Sequence, residues 1–381
     1  MHKIKIPKNR IRKLRTLSLG NKNYYLNKFN QKGVDEKLVD LCSNDYFGLS
    51  RDHEVIEAAY KGSVAEGLGS GSSLFISGKR SIHNILEESI ANWLDRERVL
   101  LFPSGFQANI AAVQSLADRN SIIIADKLIH NSLITGIRAS GAKLKRFLHN
   151  NTVDLEKKLS KLSSENKSIL VIIESLYSME GTLAPIKQII KICKKYDANL
   201  LVDEAHGLGI IGECGKGLSY GFKDTIKIVS GTFGKSFGSG GAFLACDKIT
   251  SEKIIQTSGA FRYTTALSPT LASGAYKSLQ KIKNNKNWGL ELLSFSEKWK
   301  KEIIHVTDYL VKGDCHIILI IIGSEDETLS MQKYLEKNGF LAVAIRPPTV
   351  PIGQSRIRIT IKKTLNNEIL NNFISILKAF K

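Results

Sequence analysis

The sequence predicts an α/β protein, with a mainly parallel sheet in a large domain and a smaller C-terminal α+β domain. Short apolar runs alternate with longer segments of helical periodicity, which is typical of a parallel sheet covered by helices. A chain of 381 residues exceeds one compact unit, so a second, smaller domain is expected. Six apolar runs are the predicted strands of the large domain: Val99–Phe102, Ile122–Ala125, Ile169–Ile173, Leu200–Val202, Ile226–Val229 and Ala242–Ala245.

Composition along the chain divides it into three regions. Residues 1–50 are predicted to be an N-terminal arm, residues 51–285 the large domain and residues 286–381 the small domain. The second boundary lies within the polar, Asn/Lys-rich stretch Lys281–Asn287. The small domain contains two predicted strands, Ile317–Ile322 and Arg356–Thr360.

Charge, apolar stretches and cysteines exclude several classes of protein. The formal net charge is +19, but the lysines are spread along the chain and no nucleic-acid module signature is present, so no nucleic-acid partner is predicted. The longest apolar stretch, His316–Ile322, is too short to span a bilayer, so no membrane association is predicted. Five scattered cysteines predict neither a zinc site nor a disulfide framework, and they favour a reducing cytoplasm. The arm is distinctive, with ten Lys or Arg and no acidic residue before Asp35.

Polar residues follow five of the predicted strands directly. Ligands of open α/β sheets bind outside the carboxyl ends of the strands, so these residues are expected to converge on one cleft. In chain order they are Ser104 and Gly105, Asp126 and His130, Glu174 and Ser178, Asp203 and His206, and Thr232 and Lys235.

Lys235 and Asp203 form the pairing that pyridoxal phosphate chemistry requires. A lysine forms the Schiff base and an acid holds the proton on the pyridinium nitrogen. The glycines around Lys235 give the backbone freedom to reach a cofactor, whereas the Walker spacing of a phosphate-binding loop is absent. The alternative for Asp203 is an N-cap of the next helix, and the alternative for His130 is an ordinary surface histidine.

A phosphate site is predicted at Pro103–Asn109, which follows a strand and opens a helix. The free N–H groups of a helix N-terminus bind phosphate dianions. The glycine-rich Gly67–Ser73 lacks the strand and the spacing of a dinucleotide fingerprint, so it is interpreted as a flexible turn or substrate loop.

Together these motifs resemble the α-oxoamine synthase family of fold-type-I pyridoxal phosphate enzymes, and the resemblance runs almost end to end. The segment Ile345–Pro351, with Gly353 and Arg358 after it, favours the members that act on L-alanine and a pimeloyl thioester. The motifs that carry the family resemblance are Ser43–Leu49, Ile76–Gly78, His83 with Leu86 and Glu87, Ser104–Phe106, Glu174–Met179, Asp203–Gly207 and Thr232–Lys235.

The resemblance implies a cofactor, pyridoxal 5′-phosphate, and a role for each matching residue. Lys235 is the Schiff-base lysine, and His130 stacks on the cofactor ring. Asp203 contacts the pyridine nitrogen, and His206 lies near the phenolic oxygen. The phosphate is held by Thr232, by the backbone at Gly105 and Phe106, and from a neighbouring subunit by Thr264 and Thr265; Ser178 and Asn44 line the site, Arg358 binds the amino-acid carboxylate and Arg12, with Arg15 as the alternative, binds the acyl thioester.

The implied activity is a decarboxylative condensation of L-alanine with a pimeloyl thioester in a homodimer. The acyl carrier is left open between coenzyme A and an acyl carrier protein. Two other activities of this chemistry stay open: condensation of glycine with an acetyl or succinyl thioester, and transamination. A basic nucleic-acid-binding protein is the alternative from another class, but it leaves Lys235, Asp203 and His206 without a role.

Overall fold

The computed structural model describes residues 6–20, 22, 24–29, 35–162 and 168–380. Within these residues no helix is both long and apolar enough to cross a membrane. The helices are α1 (His53–Glu66), α2 (Ser81–Leu94), α3 (Gly105–Leu116), α4 (Asn131–Ser140), α5 (Thr152–Ser160), α6 (Ile186–Lys195), α7 (Lys248–Thr257), α8 (Gly259–Arg262), α9 (Pro269–Asn284), α10 (Trp288–Val306), α11 (Glu325–Lys337) and α12 (Asn367–Lys378).

Fifteen strands accompany these helices in the described part of the chain. They are β1 (Ser18–Leu19), β2 (Tyr25–Phe29), β3 (Asp35–Asp40), β4 (Arg98–Phe102), β5 (Ile122–Asp126), β6 (Lys143–Phe147), β7 (Ile169–Glu174), β8 (Asn199–Asp203), β9 (Ile226–Thr232), β10 (Ala242–Cys246), β11 (Leu310–Lys312), β12 (Ile317–Gly323), β13 (Phe340–Leu341), β14 (Val343–Ile345) and β15 (Ser355–Thr360).

The chain divides into two compact units. Unit 1 comprises the described residues of Met1–Gly48, Ser178–Thr182 and Leu290–Lys381, and unit 2 comprises those of Leu49–Tyr177 and Leu183–Gly289. The residues predicted as a separate arm therefore group with the C-terminal residues. The reason is strand pairing, because β13 extends the sheet β1-β2-β3 in parallel with β3.

Unit 2 is built on a seven-stranded sheet of order β4-β10-β9-β8-β7-β5-β6. Among the described strands of this sheet, β10 alone runs opposite to the other six, and it pairs antiparallel with both β4 and β9. Every residue of β5 and β7 is buried, as expected for Ile-rich strands that are covered on both faces. The predicted α/β class with a mainly parallel sheet is confirmed, and all six strands predicted for the large domain are present.

Unit 1 contains two four-stranded sheets, β1-β2-β3-β13 and β11-β12-β15-β14. The second sheet is wholly antiparallel and is centred on β12 and β15, the two strands predicted for the small domain. Its core is aliphatic, since Ile317 to Ile320 of β12 are fully buried. Unit 1 is therefore the α+β part of the molecule.

Candidate active site

The carboxyl ends of neighbouring parallel strands of unit 2 carry the predicted polar residues. β7 ends at Glu174 and β8 at Asp203, and the ladder places these two residues opposite each other. Asp203 in turn pairs with Ser230 of β9, which ends at Thr232. The register therefore brings three strand ends to one edge of the sheet, where open α/β sheets bind their ligands.

Asp203 is buried, and its carboxylate is held by two N–H donors. Oδ2 accepts a hydrogen bond from Nδ2 of Asn109 at 2.8 Å, and Oδ1 accepts one from the backbone N–H of Ala205 at 2.9 Å. The residues after Asp203 form turns and no helix, so the alternative N-cap role is not used here. Hydrogen bonds from N–H groups stabilise an ionised carboxylate and fix its direction.

His130 is the N-cap residue of α4, and its ring accepts hydrogen bonds on one nitrogen. Nδ1 lies 2.7 Å from Oγ of Ser132 and 3.3 Å from the backbone nitrogen of the same residue. Because the backbone N–H can only donate, Nδ1 is the acceptor and Nε2 carries the proton of the neutral ring. Burial lowers the pKa of His130, the charge of Asp203 raises it, and the charge of Lys235 lowers it.

One amide links His130 to Asp203. Nδ2 of Asn109 lies 2.9 Å from Oγ of Ser132, in addition to its bond to Asp203. The reverse amide orientation would place Oδ1 against a carboxylate, so the two N–H bonds determine the orientation. Asn109 and Ser132 are both buried, and neither was predicted as a site residue. Only the position of Asn109 in the predicted phosphate-binding segment pointed toward this cluster.

Glu174 is a second buried carboxyl beside Asp203; it was expected at the cleft from its place after a strand, but no catalytic or binding role was predicted for it. Burial raises the pKa of Glu174 well above its usual range, and the charge of Asp203 adds to this rise, while the charge of Lys235 opposes it. The backbone N–H of His130 donates a hydrogen bond to the carboxyl group. Glu174 is therefore protonated at pH values at which an exposed glutamate is ionised. Its place at the end of a predicted strand was the available sequence signal.

Lys235 follows β9 in a tight turn and is partly buried. The turn is closed by a 2.8 Å bond from the N–H of Gly238 to the carbonyl of Lys235. Gly238 has φ of +58°, and a Cβ there would collide with the backbone of Leu49 and Ser50. A glycine is required for both reasons. The charge of Lys235 lowers the pKa of both His130 and Glu174. The ammonium group is therefore part of the same electrostatic cluster.

The predicted phosphate site lies where α3 begins. Ser104 caps the helix by accepting a 3.3 Å bond from the N–H of Gln107, which leaves the N–H groups of Gly105 and Phe106 outside the helical ladder. A Cβ on Gly105 would lie 3.9 Å from Oγ1 of Thr232, so the two predicted phosphate residues are neighbours. The absence of a side chain at Gly105 leaves a cradle lined by N–H groups and one hydroxyl.

Three further predicted residues of unit 2 differ in their surroundings. His206 is buried in the turn after β8. Thr264 is half-buried and Thr265 is exposed, and Oγ1 of Thr264 lies 3.4 Å from the carbonyl of Thr265. The structure does not bring these two threonines into hydrogen-bond contact with Thr232 or Gly105. Their predicted contact is with a neighbouring subunit, and it stays a prediction.

Unit 1 brings Arg358, predicted to bind the amino-acid carboxylate, together with Ser178 and Asn44, which are predicted to line the site. Arg358 lies on β15, is 4% exposed and donates to neutral groups: to the carbonyl of Ser178 at 2.8 Å, to Oδ1 of Asn44 at 3.0 Å and to Oγ1 of Thr360 at 3.0 Å. The neighbouring Arg356, in contrast, is paired with a glutamate. A buried guanidinium without a carboxylate partner is suited to receive an anion, because an unpaired buried charge is costly.

The two candidate arginines of the N-terminal segment are engaged differently. Nη2 of Arg12 donates to Oγ1 of Thr349 at 3.0 Å and to the carbonyl of Arg346 at 3.3 Å. Arg15 forms a 2.6 Å ion pair with Glu336. Among the described residues Arg12 therefore has no carboxylate partner, whereas Arg15 has one, which favours Arg12 as the predicted substrate-binding arginine.

Residues 36–377 match the model of the aminotransferase class I and II family. A putative 8-amino-7-oxononanoate synthase of Bacillus cereus (strain AH820) is 36% identical over 330 residues, which are 86% of this chain and 83% of the relative. The 8-amino-7-oxononanoate synthase of Saccharophagus degradans is 36% identical over 345 residues, with 87% and 83% covered.

Two solved structures superpose on most of the chain. The serine palmitoyltransferase of Sphingomonas wittichii superposes with a TM-score of 0.88 at 26% identity, covering 94% of this chain and 90% of that one. The 8-amino-7-oxononanoate synthase of Francisella tularensis superposes with a TM-score of 0.75 at 26% identity, covering 90% and 97%.

Proposed function

Because the chain belongs to the α-oxoamine synthase family and uses pyridoxal 5′-phosphate, we propose that it condenses L-alanine with a pimeloyl thioester. The products would be 8-amino-7-oxononanoate, carbon dioxide and the free thiol of the carrier. The names of the relatives and the segment Ile345–Pro351 support this substrate pair. The observation that carries the proposal is the cluster in unit 2 in which the charges of Asp203 and Lys235 both act on His130, while Asn109 fixes the Asp203 carboxyl group.

The residues of unit 2 fit the cofactor. The cradle at Gly105 offers the N–H groups of a helix N-terminus and the hydroxyl of Thr232 to a phosphate dianion. Asp203 is a buried carboxyl group that two N–H groups hydrogen-bond and orient, which suits a partner for a protonated ring nitrogen. His206, buried nearby in sequence, is proposed to contact the phenolic oxygen.

Pyridoxal phosphate supplies an electron sink that stabilises a carbanion at the α-carbon of the bound amino acid. Lys235 is proposed to remove the α-proton and to return it at the end of the reaction. Asp203 keeps the proton on the ring nitrogen, and this electrostatic contribution grows because the carboxylate is shielded from water. The turn closed at Gly238 limits the positions from which the lysine amine can act.

His130 is proposed to stack on the cofactor ring and to donate a hydrogen bond to the ketone oxygen during decarboxylation. Its hydrogen bonds with Ser132 leave the proton on Nε2, which is the form that can donate. Its lowered pKa keeps the ring neutral at pH 7, so it donates without adding a full positive charge.

The remaining predicted residues are proposed to bind substrate. Arg358, with Asn44, would bind the carboxylate of L-alanine, since among the described residues this buried guanidinium donates to neutral groups and to no carboxylate. Ser178 would line the cofactor site, and Arg12 would contact the acyl thioester. These roles follow the family resemblance.

Assembly and location complete the proposal. Thr264 and Thr265 are proposed to reach the phosphate of a neighbouring subunit, which requires a homodimer. A cytoplasmic location is proposed because all five cysteines are free thiols.

A second candidate is condensation of L-serine with a long-chain acyl thioester. It is favoured by the TM-score of 0.88 to the serine palmitoyltransferase, against 0.75 to the 8-amino-7-oxononanoate synthase. Condensation of glycine with acetyl or succinyl thioesters is a third.

Product mass spectrometry separates these activities. The purified protein is incubated with alanine, glycine or serine, each combined with pimeloyl-, acetyl-, succinyl- or palmitoyl-CoA, and thiol release is followed in parallel. We expect a product with the mass of 8-amino-7-oxononanoate from alanine and the pimeloyl thioester, with slower turnover of every other pair. Faster turnover of serine with the palmitoyl thioester would replace the first candidate by the second.

A further inference from the structure

A basic groove lies within unit 1, bounded by the segment Lys8–Leu17, helix α11 and strands β13 and β14. Its volume is about 770 Å³, which is within the range of ligand-binding clefts. None of the described residues that line it is acidic, and six are basic: Lys8, Arg12, Lys13, Arg15, Lys333 and Arg346.

The nearby carboxylates neutralise only part of the charge of this groove. Glu325 is bound by Arg10, with Nη2 to Oε1 at 2.6 Å, and Glu336 is bound by Arg15 at 2.6 Å. Lys8, Lys13 and Lys333 form no ion pair with any described residue. Three ammonium groups at the groove therefore remain available to an incoming anionic surface.

The cations surround an apolar floor. Ile11, Leu17, Leu329, Leu341 and Val343 contribute aliphatic side chains to the lining. Ile11 is 48% exposed, so part of this apolar surface is in contact with solvent. An occupant of the groove would thus combine several negative charges with an aliphatic side chain.

We propose that this groove docks the acidic surface of an acyl carrier protein that delivers the thioester, an inference that rests on the proposed condensation. A helix with several carboxylates and an exposed aliphatic residue matches basic residues spread over the arm segment, a helix and a strand. A nucleotide carrier concentrates its phosphates in one place and would need a compact cluster of donors. Complementary charge accelerates encounter and weakens as salt rises.

The test reverses three charges that have no assigned role in substrate binding or catalysis. The variant Lys8→Glu/Lys13→Glu/Lys333→Glu is compared with Lys157→Glu/Lys161→Glu/Lys191→Glu, which changes the net charge equally at exposed positions of unit 2. Arg12 is left unchanged because it is proposed to bind the thioester. Turnover of pimeloyl-CoA shows that each variant is folded and active.

For the groove variant we expect KM for the carrier-protein thioester to rise about tenfold at low salt, and less at high salt, with kcat unchanged. KM for pimeloyl-CoA should stay unchanged in both variants. Equal effects on the two thioesters, no effect on either, or the same rise in the unit 2 control would overturn the docking proposal.

Direct binding separates this proposal from the proposed function. The probe is a fluorescently labelled acyl carrier protein that bears phosphopantetheine and no acyl group, titrated with the full-length protein. We expect salt-sensitive binding to the wild type and to the unit 2 control, and binding at least about tenfold weaker to the groove variant. Such binding would stand even if the product assay identified another substrate pair, whereas equal binding to all three proteins would contradict docking in the groove.

Discussion

Nδ2 of Asn109 lies 2.8 Å from Oδ2 of Asp203, so a side chain of α3 fixes the direction of the carboxylate at the end of β8. The same nitrogen lies 2.9 Å from Oγ of Ser132, which is hydrogen-bonded to His130. One amide thereby orients the proposed partner of the ring nitrogen and, through Ser132, the proposed ring-stacking histidine. The proposed roles of Asp203 and His130 therefore both depend on Asn109, which is not expected to touch the substrate.

Replacing Asn109 should impair catalysis without removing a reacting group. In Asn109→Leu the carboxyl group of Asp203 loses a buried hydrogen-bond donor. Leaving a buried acceptor without its donor costs about 1–3 kcal/mol of stabilisation. We therefore expect kcat to fall about ten- to hundredfold, measured as thiol release at saturating substrate. The exposed Asn120→Leu is the control, and a kcat within about twofold of wild type in Asn109→Leu would argue against the positioning role.

Asp203→Asn removes the charge and keeps the shape. An amide does not hold a proton on a ring nitrogen as a carboxylate does, so we expect kcat to fall about a hundredfold or more. In the wild type, the carbanion that the cofactor stabilises should give a transient absorbance band at long wavelength after addition of L-alanine. Rapid-mixing absorbance should show a matching loss of this band in Asp203→Asn. Turnover near that of the wild type would contradict the assignment.

Lys235→Ala should abolish both activity and covalent attachment of the cofactor. The wild type treated with borohydride should carry a stable adduct on the peptide that contains Lys235, detected by mass spectrometry. Lys227→Ala, on strand β9 just before the turn that carries Lys235, should keep the adduct and the activity. An adduct of wild-type yield in Lys235→Ala would place the Schiff-base lysine elsewhere.

Glu174 should make folding stability depend on pH. Its pKa is raised in the folded protein, so above the usual glutamate pKa the folded state retains a proton that the unfolded chain releases. Stability contributed by this group is therefore lost as pH rises through the raised pKa. Glu174→Gln cannot ionise, so its Tm relative to wild type should increase between about pH 5 and pH 8. A Tm difference that is constant with pH would refute this, and Glu213→Gln, exposed at the surface, is the control.

Hybrid dimers test the proposed sharing of the phosphate site. Lys235→Ala and Thr264→Ala/Thr265→Ala should each be inactive or strongly impaired as pure proteins. After subunit exchange, a mixed dimer has one site with both the lysine and the threonines, so part of the activity should return. Size-exclusion chromatography with differently tagged chains verifies exchange, and no recovery after proven exchange would rule out shared sites.

The sequence predicted the buried strands well because they are continuously apolar. The predicted run Ile169–Ile173 differs from β7 only by Glu174, which ends the strand with a charged type of residue. β6, Lys143–Phe147, was not predicted, because it lies at the edge of the sheet and carries lysines and an arginine among its few apolar residues. Edge strands have a weaker apolar pattern than central ones.

The residue types of the candidate site were also predictable, but their partners were not. Lys235 and Asp203 were identified from their chemistry and their place after strands, and the structure places both in one electrostatic cluster with His130. Asn109 and Ser132 read as ordinary helix residues in the sequence. Their role depends on which side chains meet across α3 and α4, which spacing along the chain does not determine.

The antiparallel strand β10 has a consequence for the order in which unit 2 is made. β4 forms hydrogen bonds only with β10 within the sheet, so Arg98–Phe102 is synthesised long before its partner Ala242–Cys246. Until then β4 presents apolar residues and an unpaired edge on a nascent chain. Such late, long-range pairings slow folding and prolong exposure to aggregation. We therefore expect truncated chains that end before Ala242 to depend strongly on chaperones, and the complete chain to depend on them much less.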